Sequence, residues 1–562
     1  MTSRRSFLEQ SALSALGLSL PVVTRVRPEP STTAPKGFID LHRPPDAIFA
    51  ETASGTQALT KASNDRWTAA DIVVTTEPTP SAVNLTLAAP KTAVRRIQLR
   101  WRGTIPGNPL ILGDAWERGY GDLEWRGWVP DRVMPHYFAT HDGALTHGYG
   151  IRTAPNALCF WQVDPRGLSL WADVRSGSAP LELGNRTLDV CEVVCRSGRA
   201  GESAFAAVHA LCRLMCPSPR MPSYPVYGSN DWYWAYGNNS AATVLADARH
   251  LAELSPDGSN RPYAVIDDGW QPGRGSDKVG AGTWDRGNDK FPDMPGLAAE
   301  VERAGAHPGI WIRPLQAEAN APAGWRLARE PKTLDPTVPE VLQKVREDLA
   351  RLRAWGYRLI KHDYTSFDLF GRWGFQMGSA LTRDGWQFAE GPTRTTAEII
   401  SELYRTIRAA AGDALIIGCN TVSHLSAGVF ELCRVGDDTS GTEWARTRKM
   451  GVNTLAFRGA QHGAFYVADA DCVPVTRGVP WSLNRQWLDL VARSGTTLFV
   501  SLEPEALGAE QRRDLKLALA LAAQPHPLAE PLDWQHTVYP ARWRLMGREQ
   551  TYDWLGPDGT GG

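Results

Sequence analysis

Acidic residues recur where short apolar runs end in the second half of this chain. Asp267-Asp268 follows one such run, Lys361-His362-Asp363 ends another, and Arg434 leads through Val-Gly into Asp437-Asp438. Asp471 follows a later run. Carboxylates accept hydrogen bonds from several hydroxyls, and a pair of them can share the work of cleaving a glycosidic bond. The pattern therefore favours a site for carbohydrate chemistry.

Tryptophan supports the same interpretation. The chain has 22 Trp, more than its 15 Phe or 14 Tyr, and Trp232, Trp270 and Trp311 lie close to the acidic segments. A Trp ring offers a flat apolar face and one N–H donor, which suits the apolar face and hydroxyl rim of a sugar. The alternative is that these rings fill a large core.

The elements that must position these residues are predicted by a repeated pattern of strand, loop and helix. Helical apolar spacing covers 240–254, 338–355 and 395–411. The predicted strands are 225–230, 264–268, 308–313, 358–363, 414–419, 431–437, 464–468 and 496–501. Parallel-type strands at this density predict a (β/α)8 TIM barrel, whose active site lies at the carboxyl ends of the strands. A doubly wound open sheet is the alternative, but no Gly-x-Gly-x-x-Gly follows the first strand.

The chain before this region has a different pattern of predicted secondary structure. Residues 95–101, 167–171 and 188–194 are β-type runs separated by turn residues, which predicts an N-terminal antiparallel β-sandwich. Helical spacing over 202–216 and then Pro217, Pro219 and Pro222 mark a boundary. The expected domains are a sandwich at 37–220, a catalytic barrel at 221–505 and a short C-terminal β-region at 506–562.

Three of these segments carry a resemblance to a known family. Asp267-Asp-Gly-Trp270, Lys361-His-Asp-Tyr364 and Arg434-Val-Gly-Asp-Asp438 resemble, in order and in strand position, the signature blocks of the α-galactosidase superfamily, glycoside hydrolase families 27 and 36. The longer run Ile266-Asp-Asp-Gly-Trp-Gln271 is closer to family 36 and its raffinose-synthase-like members. The resemblance covers about 221–505.

The resemblance implies roles for individual residues. Asp363 matches the nucleophile of a retaining glycosidase, and Asp438 matches its general acid/base. The other positions match residues that bind the sugar, and they are Asp267, Asp268, Trp232, Trp270, Trp311, Lys361, Arg434, Asn420 and Asp471. No cofactor and no metal ion are implied.

Elementary chemistry supports the two catalytic assignments. Lys361 and Asp363 are two residues apart in an extended segment, so both side chains point to one face. A nearby cation keeps a nucleophilic carboxylate ionised, whereas an acid/base must also hold a proton. Asp437 is the competing candidate for the acid/base.

The chain departs from the family after the fifth predicted strand, where it has Cys419-Asn-Thr-Val-Ser-His424. This region faces the 2-substituent of the sugar in the family, so the preference at C2 stays open. The expected activity is hydrolysis of terminal α-linked galactose or a close relative, with retention of configuration. A raffinose-synthase-like transglycosylase and a non-catalytic carbohydrate-binding protein are the alternatives.

Composition and the N-terminal segment exclude some classes of function and predict where the protein is located. A formal net charge of -1 gives no broad basic surface for nucleic acid, and no Gly-rich phosphate loop or His-Glu-x-x-His is present. Ser3-Arg-Arg-Ser-Phe-Leu8 precedes an apolar stretch at 11–23, which predicts a twin-arginine signal peptide and linker over 1–36 and a periplasmic or secreted protein without a membrane span. Cys191 and Cys195 lie in a strand-like run without a local histidine, which favours buried thiols over a zinc site.

Overall fold

The computed structural model describes residues 37–273, 283–556 and 559. The predicted signal peptide and linker, residues 1–36, lie outside the described residues. No helix within the described part of the chain combines the length and the apolar character that crossing a bilayer needs.

The first part of the chain, 47–196, forms strands joined by turns. These strands are β1 Ala47–Thr52, β2 Gly55–Ala58, β3 Thr60–Lys61, β4 Arg66–Ala69, β5 Ile72–Pro78, β6 Val83–Ala88, β7 Val94–Arg102, β8 Leu110–Gly113, β9 Met134–Pro135, β10 Tyr137–His141, β11 Thr146–Ile151, β12 Leu158–Asp164, β13 Gly167–Asp173 and β14 Thr187–Arg196. All pairings among them are antiparallel, in a six-stranded sheet ordered β2-β1-β7-β13-β12-β9 and an eight-stranded sheet ordered β3-β4-β5-β6-β14-β11-β10-β8.

One apolar core takes side chains from both of these sheets. Burial alternates along β1 and β6, so every second residue faces inward. Leu99 of β7 and Leu170 of β13, from the six-stranded sheet, join Leu85 of β6 and Val193 of β14 in the same buried cluster. The inward-facing residues of the two sheets therefore build a single core between them.

The second part of the chain contains the parallel strands. They are β15 Tyr227–Asn230, β16 Tyr263–Ile266, β17 His307–Ile312, β20 Leu359–His362, β21 Leu415–Gly418, β22 Leu432–Arg434, β23 Val467–Asp469, β24 Cys472–Val475 and β25 Leu498–Leu502; a small hairpin of β18 Arg326–Leu327 and β19 Glu330–Leu334 interrupts the series. Their order, β23-β22-β21-β20-β17-β16-β15-β25-β24, makes a curled parallel sheet. The fold is thus α/β, with many antiparallel strands beside it.

The two edge strands of the parallel sheet are consecutive in the chain. Only Ala470 and Asp471 separate β23 from β24, and Asp471 adopts a left-handed backbone with φ +70°. β23 pairs with β22 and β24 pairs with β25, while the Thr497 amide also donates to the Ala468 carbonyl at 3.2 Å. Sequence patterning predicted one strand here, at 464–468; the structure has β23 at Val467–Asp469 and, beyond the break at Asp471, a second strand, β24, that was not predicted.

Helices follow most of the parallel strands, and a three-stranded antiparallel sheet ends the chain. The helices are α1 Ala204–Met215, α2 Trp232–Ala235, α3 Ala241–Leu254, α4 Met294–Ala304, α5 Pro339–Ala354, α6 Thr365–Phe370, α7 Gly374–Met377, α8 Thr396–Ala410, α9 Ser423–Ser426, α10 Trp444–Thr447, α11 Asn453–Arg458, α12 Trp481–Arg493 and α13 Ala509–Ala522, with a π-helix at Arg448–Val452 and short 3-10 turns at Ala323–Trp325, Gly459–Gln461 and Pro504–Ala506; the last sheet contains β26 Glu530–Pro531, β27 Arg542–Leu545 and β28 Arg548–Thr551. Ser240 and Thr395 close capping boxes at α3 and α8.

Candidate active site

A cleft of about 540 Å³ opens where the parallel strands end, and it holds both predicted catalytic acids. Asp363 follows β20 directly, and Asp438 lies four residues beyond the end of β22. The carboxyl ends of neighbouring parallel strands meet at one edge of their sheet. The structure therefore brings together two acids that are 75 positions apart in the sequence.

Asp363 is held by neutral donors. Nε1 of Trp311 donates to its Oδ2 at 3.1 Å, and the backbone amide of Tyr364 donates to its Oδ1 at 2.7 Å. Tyr364 has φ +67°, a left-handed conformation that costs a non-glycine residue on the order of 1–3 kcal/mol. Strain beside the predicted nucleophile thus serves to orient its carboxylate.

The strained residue is fixed by its surroundings. The guanidinium of Arg313 lies over the Tyr364 ring, 4.3 Å from its centroid, and Arg313 is itself paired with the buried Asp368 at 2.5 Å. A cation over an aromatic face is attractive by about 0.5–2 kcal/mol. This stacked arrangement opposes relaxation of Tyr364.

Asp438 lies among cations. Nη2 of Arg434 is 3.1 Å and Nη1 of Arg118 is 3.5 Å from its Oδ1. Burial alone would raise the pKa of Asp438, but the charges of Arg118, Arg434 and Lys361 lower this pKa well below its usual range. The carboxylate is therefore ionised, which suits a general base.

The competing acid, Asp437, is engaged through both oxygens. Arg118 reaches its Oδ1 at 2.7 Å, and Arg446 reaches its Oδ2 at 2.9 Å. Its side chain is 13% exposed, compared with 37% for Asp438. Asp438 is thus the better placed of the two to meet a ligand.

Lys361 is paired with Asp267. Its Nζ lies 2.6 Å from Oδ2 of Asp267, which also accepts from Nδ2 of Asn230 at 2.7 Å. Burial alone would lower the pKa of Lys361, but chiefly the Asp267 carboxylate raises it well above its ordinary value. The ammonium therefore stays charged, although its partner is Asp267 and not the Asp363 that strand alternation suggested.

The other acid of the predicted pair, Asp268, is half-buried. Its Oδ1 accepts from Nε2 of Gln271 at 2.5 Å, and its amide donates to Oδ1 of Asp267 at 2.8 Å. A further acid that the sequence interpretation missed lies beneath them. Asp231 accepts from the Asp267 amide at 2.8 Å, and burial, followed by the nearby Asp267 charge, raises the pKa of Asp231 to about 7.

The three predicted tryptophans have different environments. Trp232 is half-buried with its ring 5.7 Å from that of Tyr236, and Trp311 is largely buried with its N–H on Asp363. Trp270 has no exposed surface, and its Nε1 donates to the Trp311 carbonyl at 2.9 Å while its ring packs on Trp284. Its prediction as a sugar-contacting residue needs correction, because Trp270 supports the site from the core.

Asn420 and Asp471 also lie beneath the cleft. Asn420 is fully buried: its Nδ2 donates to Glu117 at 2.6 Å, and its Oδ1 accepts from Ser366 at 2.8 Å. Asp471 is buried against Arg434 at 3.0 Å and accepts from Tyr233 and from the Thr439 amide. Both were predicted to bind substrate; they are buried and their polar atoms bond within the protein, so that role stays a prediction.

A loop between β8 and β9 contributes residues that the sequence interpretation overlooked. Arg118 reaches Asp437 and Asp438, and the buried Glu117 accepts from the Gly374 amide at 2.7 Å and from Tyr120 and Ser366. Burial raises the pKa of Glu117. The available signal was an adjacent Glu-Arg pair between Trp116 and Tyr120 in a strand-rich region.

One group among the described residues has the chemistry of a metal site. Ligand atoms of Asp40, His42 and Cys195 lie within 4.8 Å of one another. The Sγ of Cys195 is 3.8 Å from Nδ1 of His42, and burial raises the pKa of this thiol to about 12. None of the three lines the cleft described above.

Sequence comparison with known proteins finds similarity to α-galactosidases. No family model matches the chain. It is 30% identical over 93 residues to α-galactosidase AgaA of Geobacillus stearothermophilus and 31% identical over 98 residues to an α-galactosidase of Escherichia coli, covering 16% and 17% of this chain. These matches span only 12% and 13% of the length of those relatives.

Solved structures match over most of the chain. α-Galactosidase TtGalA of Thermus thermophilus, solved with p-nitrophenyl α-D-galactopyranoside, has a TM-score of 0.59 at 17% identity and covers 91% of this chain and 99% of its own. The family 36 α-galactosidase AgaA of Geobacillus stearothermophilus has a TM-score of 0.54 at 16% identity, over 80% of this chain and 67% of its own. At these identities the likeness establishes a shared fold.

Proposed function

We propose that the chain belongs to the α-galactosidase superfamily, closer to glycoside hydrolase family 36, and that it is a retaining α-glycosidase acting on terminal α-linked galactose or a close relative. Asp363 is the nucleophile and Asp438 is the general acid/base. One observation carries the proposal: acids from two different strand ends line one cleft, one oriented by neutral donors and the other surrounded by arginines.

The reaction follows from these two environments. In the first step, a carboxylate oxygen of Asp363 attacks C1 of the sugar while the departing glycosidic oxygen takes a proton from Asp438. In the second step, Asp438 takes a proton from water, whose oxygen attacks C1 and releases Asp363. Two inversions at C1 leave the configuration retained.

The second step needs an ionised Asp438, and the neighbouring arginines keep it ionised. The first step needs the protonated form. A bound sugar excludes water from the cleft, and desolvation opposes the charged carboxylate. We propose that the glycosidic oxygen takes the place of Arg118 beside Oδ1, since the 3.5 Å contact of Arg118 is the longer of the two.

The sugar would lie over the Asp267 and Asp268 pair. Asp267 is paired with Lys361, and Asp268 is half-buried beside it. Carboxylates of this kind accept strong hydrogen bonds from hydroxyls. We assign to them the hydroxyls on the far side of the ring from C1, which include the axial O4 of a galactoside.

We also infer the finer architecture from the strand order. Joining β23 and β24 as one interrupted strand gives eight strands in a closed circle, supported by the hydrogen bond from Thr497 to Ala468 across the break. This is a (β/α)8 barrel over 221–505, preceded by a sandwich over 37–220 and followed by the β-region at 506–562. The segment 1–36 would direct export by the twin-arginine route, which replacing Arg4 and Arg5 by Lys in a reporter fusion should abolish.

A substrate screen tests the function. The chain without residues 1–36 is incubated with nitrophenyl α-glycosides of different sugars, and the first-formed anomer is followed by NMR. Release of α-galactose ahead of β-galactose is expected. Equal rates on α-glucosides would refute the preference for galactose, and a first-formed β-anomer would refute retention. Absence of turnover on every glycoside would leave a carbohydrate-binding role in place of an enzyme.

A further inference from the structure

Three side chains with the chemistry of metal ligands meet on the antiparallel part of the chain. Oδ1 of Asp40 is 3.0 Å from Nδ1 of His42, and Sγ of Cys195 is 3.8 Å from that nitrogen and 4.0 Å from that oxygen. Asp40 and His42 precede β1, whereas Cys195 lies on β14, 153 positions after His42. The fold therefore brings a carboxylate, an imidazole and a thiol to one point.

The segment before β1 presents Asp40 and His42 together because of how it packs. Ile39 and Leu41 are buried and join the apolar core of the two antiparallel sheets. The Ile39 amide also donates to the hydroxyl of the buried Tyr149 at 2.9 Å, which holds the segment against β11. Burial thus alternates along these residues, with Asp40 exposed and His42 half-buried. The two polar side chains share the outer side of the segment.

Cys195 is the outer of two cysteines on β14. Cys191 lies in the apolar core, whereas Cys195 is half-buried and its Sγ faces Asp40 and His42. The sequence interpretation set the pair of cysteines aside as a zinc site, because no histidine lies near it in the chain. The fold supplies a histidine from the segment before β1, and it leaves Cys191 out of the cluster.

The spacing of the three ligand atoms suits a single small cation. In a tetrahedral site with Zn–S of about 2.3 Å and Zn–N and Zn–O of about 2.0–2.2 Å, the ligand atoms lie about 3.3–3.6 Å apart. The observed separations of 3.0, 3.8 and 4.0 Å differ from these by less than about half an ångström, so small side-chain rotations suffice. A thiolate beside an imidazole selects zinc over calcium or magnesium, which take oxygen ligands.

An ion can reach this cluster from solvent. The side chain of Asp40 is 50% exposed and that of His42 is 35% exposed, so water can complete a four-coordinate shell. Binding needs a thiolate and a neutral imidazole. The Cys195 thiol therefore releases its proton to solvent, and the proton of the neutral His42 ring is carried on Nε2, which leaves the lone pair of Nδ1 for the ion.

We propose that Asp40, His42 and Cys195 bind one Zn²⁺ ion, with water as the fourth ligand, and that this ion clamps the segment before β1 to β14. The site goes beyond the proposed function, because none of its residues lines the cleft of the predicted catalytic acids. The clamp closes a loop of 153 positions between His42 and Cys195, and cross-links that close long loops gain the most in chain entropy.

The test measures zinc affinity with the full chain, purified without a histidine tag and freed of metal by a chelator. Calorimetry should show one Zn²⁺ per wild-type chain. Asp40→Asn, His42→Ala and Cys195→Ser should each weaken this affinity at least about tenfold, since even the loss of a residue that only supports a zinc ligand costs about 10–100-fold. Cys191→Ser is the matched control: it removes the other thiol of β14 and should keep the wild-type affinity.

Two further measurements identify the ligand and the clamp. Co²⁺ accepts the same ligands as zinc and absorbs light, so a thiolate-to-cobalt charge-transfer band is expected in the wild type and in Cys191→Ser, but not in Cys195→Ser. Zn²⁺ should also raise the midpoint of thermal unfolding of the wild type, because it binds the folded chain, and should leave that of Cys195→Ser unchanged.

The contrary outcomes are distinct. A wild type that binds no Zn²⁺ overturns the proposal, and so does binding that all three ligand variants retain, because the ion would then lie elsewhere on the chain. A Co²⁺ complex of the wild type without the thiolate band excludes Cys195 as a ligand and overturns it too. Asp40→Asn, at an exposed side chain, keeps the affinity test valid if Cys195→Ser fails to fold.

Discussion

Nη1 of Arg118 lies 3.5 Å from Oδ1 of Asp438, although 320 positions separate the two residues in the chain. The arginine comes from the loop between β8 and β9, so the antiparallel part of the chain reaches the predicted acid/base in the parallel part. Nη2 of the same guanidinium holds Asp437 at 2.7 Å. A residue far from the signature segments therefore controls the charge around the predicted acid/base.

Arg118→Met should move the basic limb of the pH profile. Arg118 contributes to the lowering of the Asp438 pKa, so its removal raises that pKa and keeps the acid protonated to higher pH. The basic limb of kcat, which reports loss of that proton in the complex with substrate, is then expected at higher pH than in the wild type. Arg446→Met removes a guanidinium from Asp437 and should move the limb less. An unchanged limb in Arg118→Met would show that Asp438 does not titrate in that range.

Asp363→Ala should abolish turnover, because no carboxylate remains to form the glycosyl-enzyme. Added azide should restore activity by attacking C1 from the vacated side and give a glycosyl azide of inverted configuration, which NMR identifies. Asp368→Asn is the control. Asp368 is buried against Arg313 and is not the predicted nucleophile, so azide should not restore activity that this variant loses. Normal turnover by Asp363→Ala without azide would contradict the assignment of the nucleophile.

Asp438→Ala should separate substrates by their leaving groups. Dinitrophenyl glycosides need little acid assistance, so their first step should survive, whereas oligosaccharides should lose about 10²–10⁴-fold in kcat/KM. Azide should here give the product of retained configuration, because it replaces water in the second step. Asp437→Ala should show no such dependence on the leaving group, and the reverse result would transfer the acid/base role to Asp437.

Much of this site could be predicted from the sequence. Parallel strands are short apolar runs, and the polar residues that follow each run can be recognised in the sequence. Asp363 and Asp438 were found this way, and both line the cleft. The sequence did not show which of these polar side chains would be buried. Asn420 has an amide that any strand-end residue could offer to a ligand, and only the fold shows that Glu117, 303 positions earlier, already binds it.

The break between β23 and β24 illustrates the same limit. The sequence interpretation predicted a strand at 464–468 and none directly after Asp471, yet β24 begins at Cys472, beyond a left-handed backbone at Asp471. Its carboxylate is bound by Arg434, Tyr233 and Thr439, which come from other elements. These long-range contacts offset the local cost, on the order of 1–3 kcal/mol, and no local pattern reports them.

Trp270→Ala should lower the free energy of unfolding. The ring is fully buried against Trp284 and Trp355, and removal of a buried aromatic side chain costs about 3–5 kcal/mol. We expect a large fall in the free energy of unfolding, measured with urea, and a KM near the wild-type value in the fraction that remains folded. Trp232→Ala, at a half-buried ring, should cost less stability. A raised KM with wild-type stability in Trp270→Ala would return this residue to the sugar-binding surface.

Asp231→Asn should change how stability depends on pH. Burial first, and then the nearby Asp267, raises the pKa of Asp231 from 3.8 to about 7, so between these values the folded chain binds a proton that the unfolded chain has lost. The free energy of unfolding must then fall as pH rises from about 4 to about 7, by on the order of 4 kcal/mol if this group acts alone. Asparagine cannot ionise, so this part of the decline should disappear in Asp231→Asn when urea unfolding is compared at pH 5 and pH 8. Asp285→Asn, at a half-exposed acid, should keep the wild-type difference between the two pH values. An undiminished decline in Asp231→Asn would mean that Asp231 stays ionised in the folded protein and that another buried acid takes up the proton.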